Sequence, residues 1–138
     1  AEGDKALLEA RKAVELDPLS GIPHYALGIS FRVSGQFDQA LKELQQAHEM
    51  MPASLASFIA LTTTYMMKDM LDEAMDVVIK GLEIFPRNRL LLSHVGRIKA
   101  QIGEKKKTRE ILDEFLSETM EVMDSGLDLS DLDQLTPD

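Results

Sequence analysis

ARKAVELDP (residues 10–18), LQQAHEMMP (44–52) and VIKGLEIFP (78–86) are three versions of one phrase, and their closing prolines, Pro18, Pro52 and Pro86, stand 34 residues apart. Aligned on those prolines, Ala6, Ala40 and Ala74 fall in register, and so do Ala13, Ala47 and Gly81 seven residues on. A fixed period of this length is the mark of stacked supersecondary units, each burying its apolar face on a neighbour.

Within one period the pattern is helical. Residues 4–16 place Ala6, Leu7, Ala10, Ala13, Val14 and Leu16 on one face, and Asp17-Pro18 stops the helix because a residue preceding proline is pushed out of the α region. A second helix is predicted over about 21–34, ended by Ser34-Gly35, and a third over 37–50. The sequence then repeats itself, with helices near 55–68 and 71–84 separated by a turn at Lys68-Asp69. A further round predicts a helix over 89–102, a turn at Gly103 and a new helix from Glu104.

These phrases carry a resemblance to the tetratricopeptide repeat family. In the second unit it rests on His24, Leu27-Gly28, Phe31, GQFDQA ending at Ala40, then Leu44, Ala47 and Pro52. In the third it rests on Phe58, Leu61-Thr62, Tyr65, DMLDEA ending at Ala74, then Val78, Gly81 and Pro86. The fourth keeps Leu92, Val95-Gly96, Gly103 and Leu112, but has Lys99 for the aromatic, Thr108 for alanine, Phe115 for the small residue and Met120 for proline. The resemblance covers residues 4–117 and implies an all-α fold, a right-handed α-solenoid of helix–turn–helix repeats. On this reading residues 1–20 supply the second helix of a truncated first repeat, and 21–54 and 55–88 are full repeats. Residues 89–124 form a degenerate repeat with an extended last helix, and 125–138 an acidic tail or capping helix.

Composition narrows the function. There is no Cys, so thiolate metal sites, disulfides and cysteine nucleophiles are excluded, and a reducing, cytoplasmic setting is expected. Residue 1 opens directly on a helical pattern, and the charge-free run from Met50 to Met67 contains Pro52 and several hydroxyl residues, so it reads as a buried helix and not a membrane span. All 15 Lys and Arg lie in residues 1–109 with 14 of the 24 acidic residues, a balance of +1; the ten acids from Glu110 onward face no base. A nearly neutral repeat region without aromatic platforms argues against nucleic acid, despite the basic stretch of Arg87, Arg89, Arg97, Lys99, Lys105 to Lys107 and Arg109.

His24, His48 and His94 have no carboxylate or second His at ligand or triad spacing, so no catalytic residue, metal site or cofactor is expected. Asp128, Asp131 and Asp133 lack the glycine and alternation of a calcium loop.

The resemblance implies that the first helices of successive units line a concave groove for a protein partner, a peptide or an amphipathic helix. By matching position the wall comprises Ile22, Tyr25, Ile29 and Arg32, then Ala56, Ile59, Thr63 and Met66, then Leu90, Ser93, Arg97 and Ala100. A family subtype that grips chaperone C-termini uses Lys and Asn at defined groove positions. Here Tyr25, Ile29, Ile59, Thr63, Ser93 and Arg97 stand at comparable places, which predicts a different ligand. The expected function is a non-enzymatic interaction scaffold; the alternatives are an accessory domain of a longer enzyme or of a secretion or assembly system, and an RNA-binding helical repeat. Self-association through the half-repeat or the C-terminal face is a further expectation.

Overall fold

The computed structural model describes residues 2–126, which form six helices: α1 (Glu2–Leu16), α2 (Gly21–Val33), α3 (Phe37–Met50), α4 (Leu55–Met67), α5 (Leu71–Ile84) and α6 (Arg89–Asp124). The 34-residue rhythm reappears in the hydrogen bonds. After α1, α3 and α5 the chain turns through Asp17-Pro18, Met51-Pro52 and Phe85-Pro86, and the N–H of Ser20, Ser54 and Asn88 donates to the carbonyl of Asp17, Met51 and Phe85 at 3.3, 3.0 and 3.1 Å. Proline is preset for the second position of such a turn, which is why it recurs there.

Between the helices of one repeat the connection is tighter. Gly35 and Asp69 take φ of 76° and 62°, and the N–H groups of Gln36 and Met70 reach back to the carbonyls of Phe31 and Tyr65, both at 2.9 Å. The left-handed residue reverses the chain and gives the last helical carbonyls a partner.

The chain divides into two compact units, residues 1–101 and 102–138. The first holds the core. Leu44, Phe58, Leu61, Tyr65, Val78, Leu91 and Ile98 are buried together, with α4 at the centre. A smaller cluster of Ala10, Leu27, Phe31 and Ala40 joins α1 to α2 and α3, and the Arg11 guanidinium lies 5.4 Å from the centre of the Phe31 ring. Burying each large apolar side chain of this kind contributes roughly 1.5–3 kcal/mol. Small residues set the spacing: a Cβ on Gly28 would lie 2.6 Å from Cγ of Leu44 and 3.2 Å from its backbone N. That close approach is between the two helices of one repeat, α2 and α3, whereas Gly81 meets Leu91 of the following repeat.

One expectation is overturned. Gly103, 34 residues beyond Asp69, does not turn: α6 is unbroken from Arg89 to Asp124, and Gly103 has no positive φ. The residues that follow, Glu104 to Arg109, are mostly strong helix formers, and Lys106–Glu110 and Arg109–Asp113 stand one turn apart in favourable charge. A glycine costs a helix about 1 kcal/mol, too little by itself to end one. In the second unit Ile111, Leu112, Phe115, Leu116, Met120 and Met123 are exposed. Gly126, with φ of 76°, closes α6, and its N–H donates to the Met123 carbonyl. The expected acidic tail or capping helix lies, beyond Ser125 and Gly126, outside the described residues.

Candidate functional site

The sequence-predicted wall is drawn from α2, α4 and α6. On α2, Ile22 is exposed and Tyr25, Ile29 and Arg32 are half-buried; Tyr25 and Ile29 pack on the main core. On α4, Ala56 is exposed, Ile59 and Thr63 are half-buried, and Met66 is buried. On α6, Leu90, Ser93, Arg97 and Ala100 are all exposed.

Part of this set comes together. Thr63, Met66 and Arg97 line a shallow hollow of about 110 Å³ with Met67 and Gln101. Met67 and Gln101 were not among the expected residues, although Gln101 stands one turn beyond Arg97 on the same helix and that spacing could have pointed to it. Among the described residues the buried Oε1 of Gln101 has no hydrogen-bond partner, and it stands in the hollow beside a cation and two thioethers. Buried polar atoms are nearly always satisfied, by protein groups or by ordered water.

His94 fixes α6 to α4 behind this hollow. The ring is buried; Nδ1 donates to the Leu90 carbonyl at 2.8 Å, and Nε2 lies 3.3 Å from the Thr63 hydroxyl, which also reaches the Ile59 carbonyl at 2.8 Å. This is a structural role. It ties two wall positions, Thr63 and Leu90, into one network. Asn88 starts α6, its Oδ1 accepting the N–H of both Leu90 and Leu91 at 3.1 Å.

The other histidines also hold helices together. Nδ1 of His24 lies 2.7 Å from Oε2 of Glu43, and its Nε2 lies 3.0 Å from the Pro18 carbonyl. Burial lowers the affinity of His24 for its second proton, but the bonds to Glu43 and the Pro18 carbonyl and the Glu43 charge outweigh it and raise the pKa above 6.5. Both partners are acceptors, and only the imidazolium offers two N–H donors. The His48 ring sits edge-on to Phe58 with centroids 4.7 Å apart. Burial, aided by the Lys80 charge and partly opposed by Glu49, holds its pKa below 6.5.

Between α3 and α4, Nε2 of Gln45 donates to the Tyr65 hydroxyl at 2.7 Å, and Lys68 pairs with Asp38. A wider hollow of about 360 Å³, lined by residues including Arg11, Phe31, Lys42 and Glu43, lies among α1, α2 and α3, away from the predicted wall. Among the described residues no group of three or more His, Asp or Glu could hold a metal ion, and no helix is long and apolar enough to cross a membrane.

Helix pairs stacked by a 34-residue period, with a polar-edged hollow between the first helices of adjacent pairs, define a repeat scaffold of the α-solenoid class. The tetratricopeptide repeat profile matches residues 34–114, and the chain belongs to that family. Among solved structures it is similar to the second tetratricopeptide repeat domain of human RPAP3 in complex with the HSP70 peptide SGPTIEEVD, at 16% identity and a TM-score of 0.65 over 70% of this chain and 81% of that one. The domain of Sgt2 from Aspergillus fumigatus matches at 18% identity and 0.69, over 77% of this chain and 72% of that one. The MamA protein matches at 19% and 0.69, over 98% and 70% respectively. No curated protein sequence matches the chain.

Proposed function

We propose that this chain is a non-enzymatic scaffold that receives a peptide or amphipathic helix of a protein partner along the first helices of its repeats, α2, α4 and α6. The observation that carries the reading is the hollow between α4 and α6, where Gln101 Oε1, without a partner among the described residues, and the exposed Arg97 stand among Thr63, Met66 and Met67. An extended peptide supplies a backbone N–H for the glutamine, an apolar anchor for the methionines, and an acidic side chain for the arginine. The similar RPAP3 domain, in complex with an HSP70 peptide, is a precedent for peptide capture on this fold. Its ligand is not transferred to this chain: Tyr25, Ile29, Ile59, Thr63 and Ser93 make the wall more apolar than one built from Lys and Asn.

The test is selection from a displayed random-peptide library, followed by titration of the selected peptides. The parent should enrich peptides with apolar anchors next to acidic residues. Arg97→Glu should lose the acidic preference, and Gln101→Leu should weaken the selected peptides by about tenfold, the size expected when a charge-independent hydrogen bond is lost at a desolvated site. Enrichment that is indifferent to both changes would place binding elsewhere.

A further inference from the structure

The hollow among α1, α2 and α3 has no part in the wall, and every residue that lines it belongs to the unit of residues 1–101. Its floor is apolar: Leu27 and Phe31 of α2 are buried in one cluster, and Val14 of α1 packs half-buried against them. Its rim is charged and open to solvent. Arg11 and Glu15 stand on the α1 side, Lys42 and Glu43 on the α3 side, and Arg11, Glu15 and Lys42 are exposed. At about 360 Å³ the hollow is within the range of sites that hold a ligand, towards its small end.

The four charges are not equivalent. Glu43 is turned to His24, its Oε2 2.7 Å from Nδ1. Glu15 stands one turn beyond Arg11 on an exposed face, where water screens such a pair and an incoming carboxylate competes with it. The Arg11 guanidinium lies over the Phe31 ring, 5.4 Å from its centre. A guanidinium stacked by its face keeps its N–H fork in plane, the arrangement that grips a carboxylate at two points. Lys42 supplies a second cation from the α3 side. One period on, the same place is built differently: Arg11, Val14, Phe31 and Lys42 correspond to Gln45, His48, Tyr65 and Asp76. There Gln45 donates to the Tyr65 hydroxyl at 2.7 Å and the His48 ring packs edge-on against Phe58, so the protein bridges the gap with its own side chains, and an acid replaces the cation. The repeat by itself therefore does not require an open hollow with a cationic rim; that combination is particular to residues 11–43.

We propose that this hollow is a second binding site, for an acidic segment of a protein partner in which an aromatic side chain is flanked by carboxylates. The ring sits on Leu27 and Phe31, where it fills more of the volume than an aliphatic chain and gains an aromatic pair. One flanking carboxylate meets Arg11 and the other Lys42. A segment with basic flanks sets like charges against both and is rejected. The open rim suits a chain that passes through the hollow, not a small molecule enclosed by it. The inference does not rest on the wall reading, since Arg97, Gln101 and α6 take no part in it.

The chain's own residues 127–138, LDLSDLDQLTPD, also combine apolar and acidic residues, though without an aromatic, so that segment enters the test as a competitor. Labelled heptapeptides with Asp-Phe-Asp, Asp-Ala-Asp or Lys-Phe-Lys at the centre are titrated into the full chain, following label anisotropy and the methyl resonances of Val14 and Leu27. The Asp-Phe-Asp peptide should saturate below about 1 mM, shift both sets of methyls, and bind about tenfold or more tightly than the other two. Lys42→Asp, which places at an exposed position the residue type found one period on, should weaken it by about tenfold with unchanged circular dichroism, and added salt should weaken it too. Arg97→Glu should leave it unaltered. Absence of saturable binding, equal affinity for acidic and basic flanks, or indifference to Lys42→Asp would overturn the proposal. Loss of binding with Arg97→Glu would move the peptide to the wall and overturn it equally. A synthetic peptide of residues 127–138 that binds more tightly than the Asp-Phe-Asp peptide would give the hollow to the chain itself, and the partner would then be the wrong occupant.

Discussion

At Gly28 a single methyl group decides how closely two helices pack. Its added Cβ would fall 2.6 Å from a side-chain carbon of Leu44 and 3.2 Å from backbone, so the leucine alone cannot yield enough and α2 must move from α3. Gly28→Ala is expected to cost about 1–3 kcal/mol despite alanine's better helix propensity, read as a lower midpoint in urea at unchanged slope. At the same scale, the two perturbed histidines report opposite linkages. The folded pKa of His24 is raised, so its bond to Glu43 stabilises fully below the unfolded value near 6.5 and fades as pH rises through the folded value. His48 is lowered, so its contribution is present above 6.5 and is lost as pH falls through its folded value. Glu43→Gln should therefore destabilise more at pH 6 than at pH 9. Proton NMR should give His24 a midpoint above 6.5 and His48 one below it; equal midpoints would contradict the His24–Glu43 geometry.

At the scale of the element, what ends a helix was more legible than what joins it to its neighbours. The prolines at 18, 52 and 86 announced the period because a turn residue acts locally, through its own fixed φ, and the turns at Gly35 and Asp69 followed from the same reasoning. Gly103 misled because glycine permits a turn without requiring one, and the helix-forming residues after it decide the outcome. The cap was missed for a different reason. Ser20, Ser54 and Asn88 occupy the same place in three periods, yet Ser20 makes no side-chain cap, Ser54 only a long bond of 3.4 Å, and Asn88 two good ones. Asn88→Ala should accordingly cost about 1 kcal/mol, and Ser20→Ala much less. Thermal melts of the two variants side by side distinguish a working cap from a turn residue. The wall positions Thr63, Met66 and Arg97 came from the family resemblance, and the structure places them around one hollow, whereas the oxygen of Gln101 depends on packing that no spacing rule contains.

At the scale of the whole molecule, a stack of repeats is stabilised by nearest neighbours, so its stability should vary along the chain. Within residues 1–101 the largest fully buried side chains, Ser57, Thr62, Thr64, Leu44, Val78, Leu91 and Ile98, centre on α4 and on the faces of α3, α5 and α6 turned towards it. By contrast α1 buries only Ala10, and Leu8 and Leu16 stay exposed. Few buried apolar contacts mean a low free energy of local opening. Native-state hydrogen exchange should therefore release α1 first and the amides of α4 last, with Gly28→Ala accelerating α2 and α3 more than α5. That order follows because the strain of the substitution falls between α2 and α3, and α5 feels it only through α4. Uniform exchange across α1 and α4, or equal acceleration in every helix, would show a single cooperative unit, and the nearest-neighbour account would then be wrong for this chain.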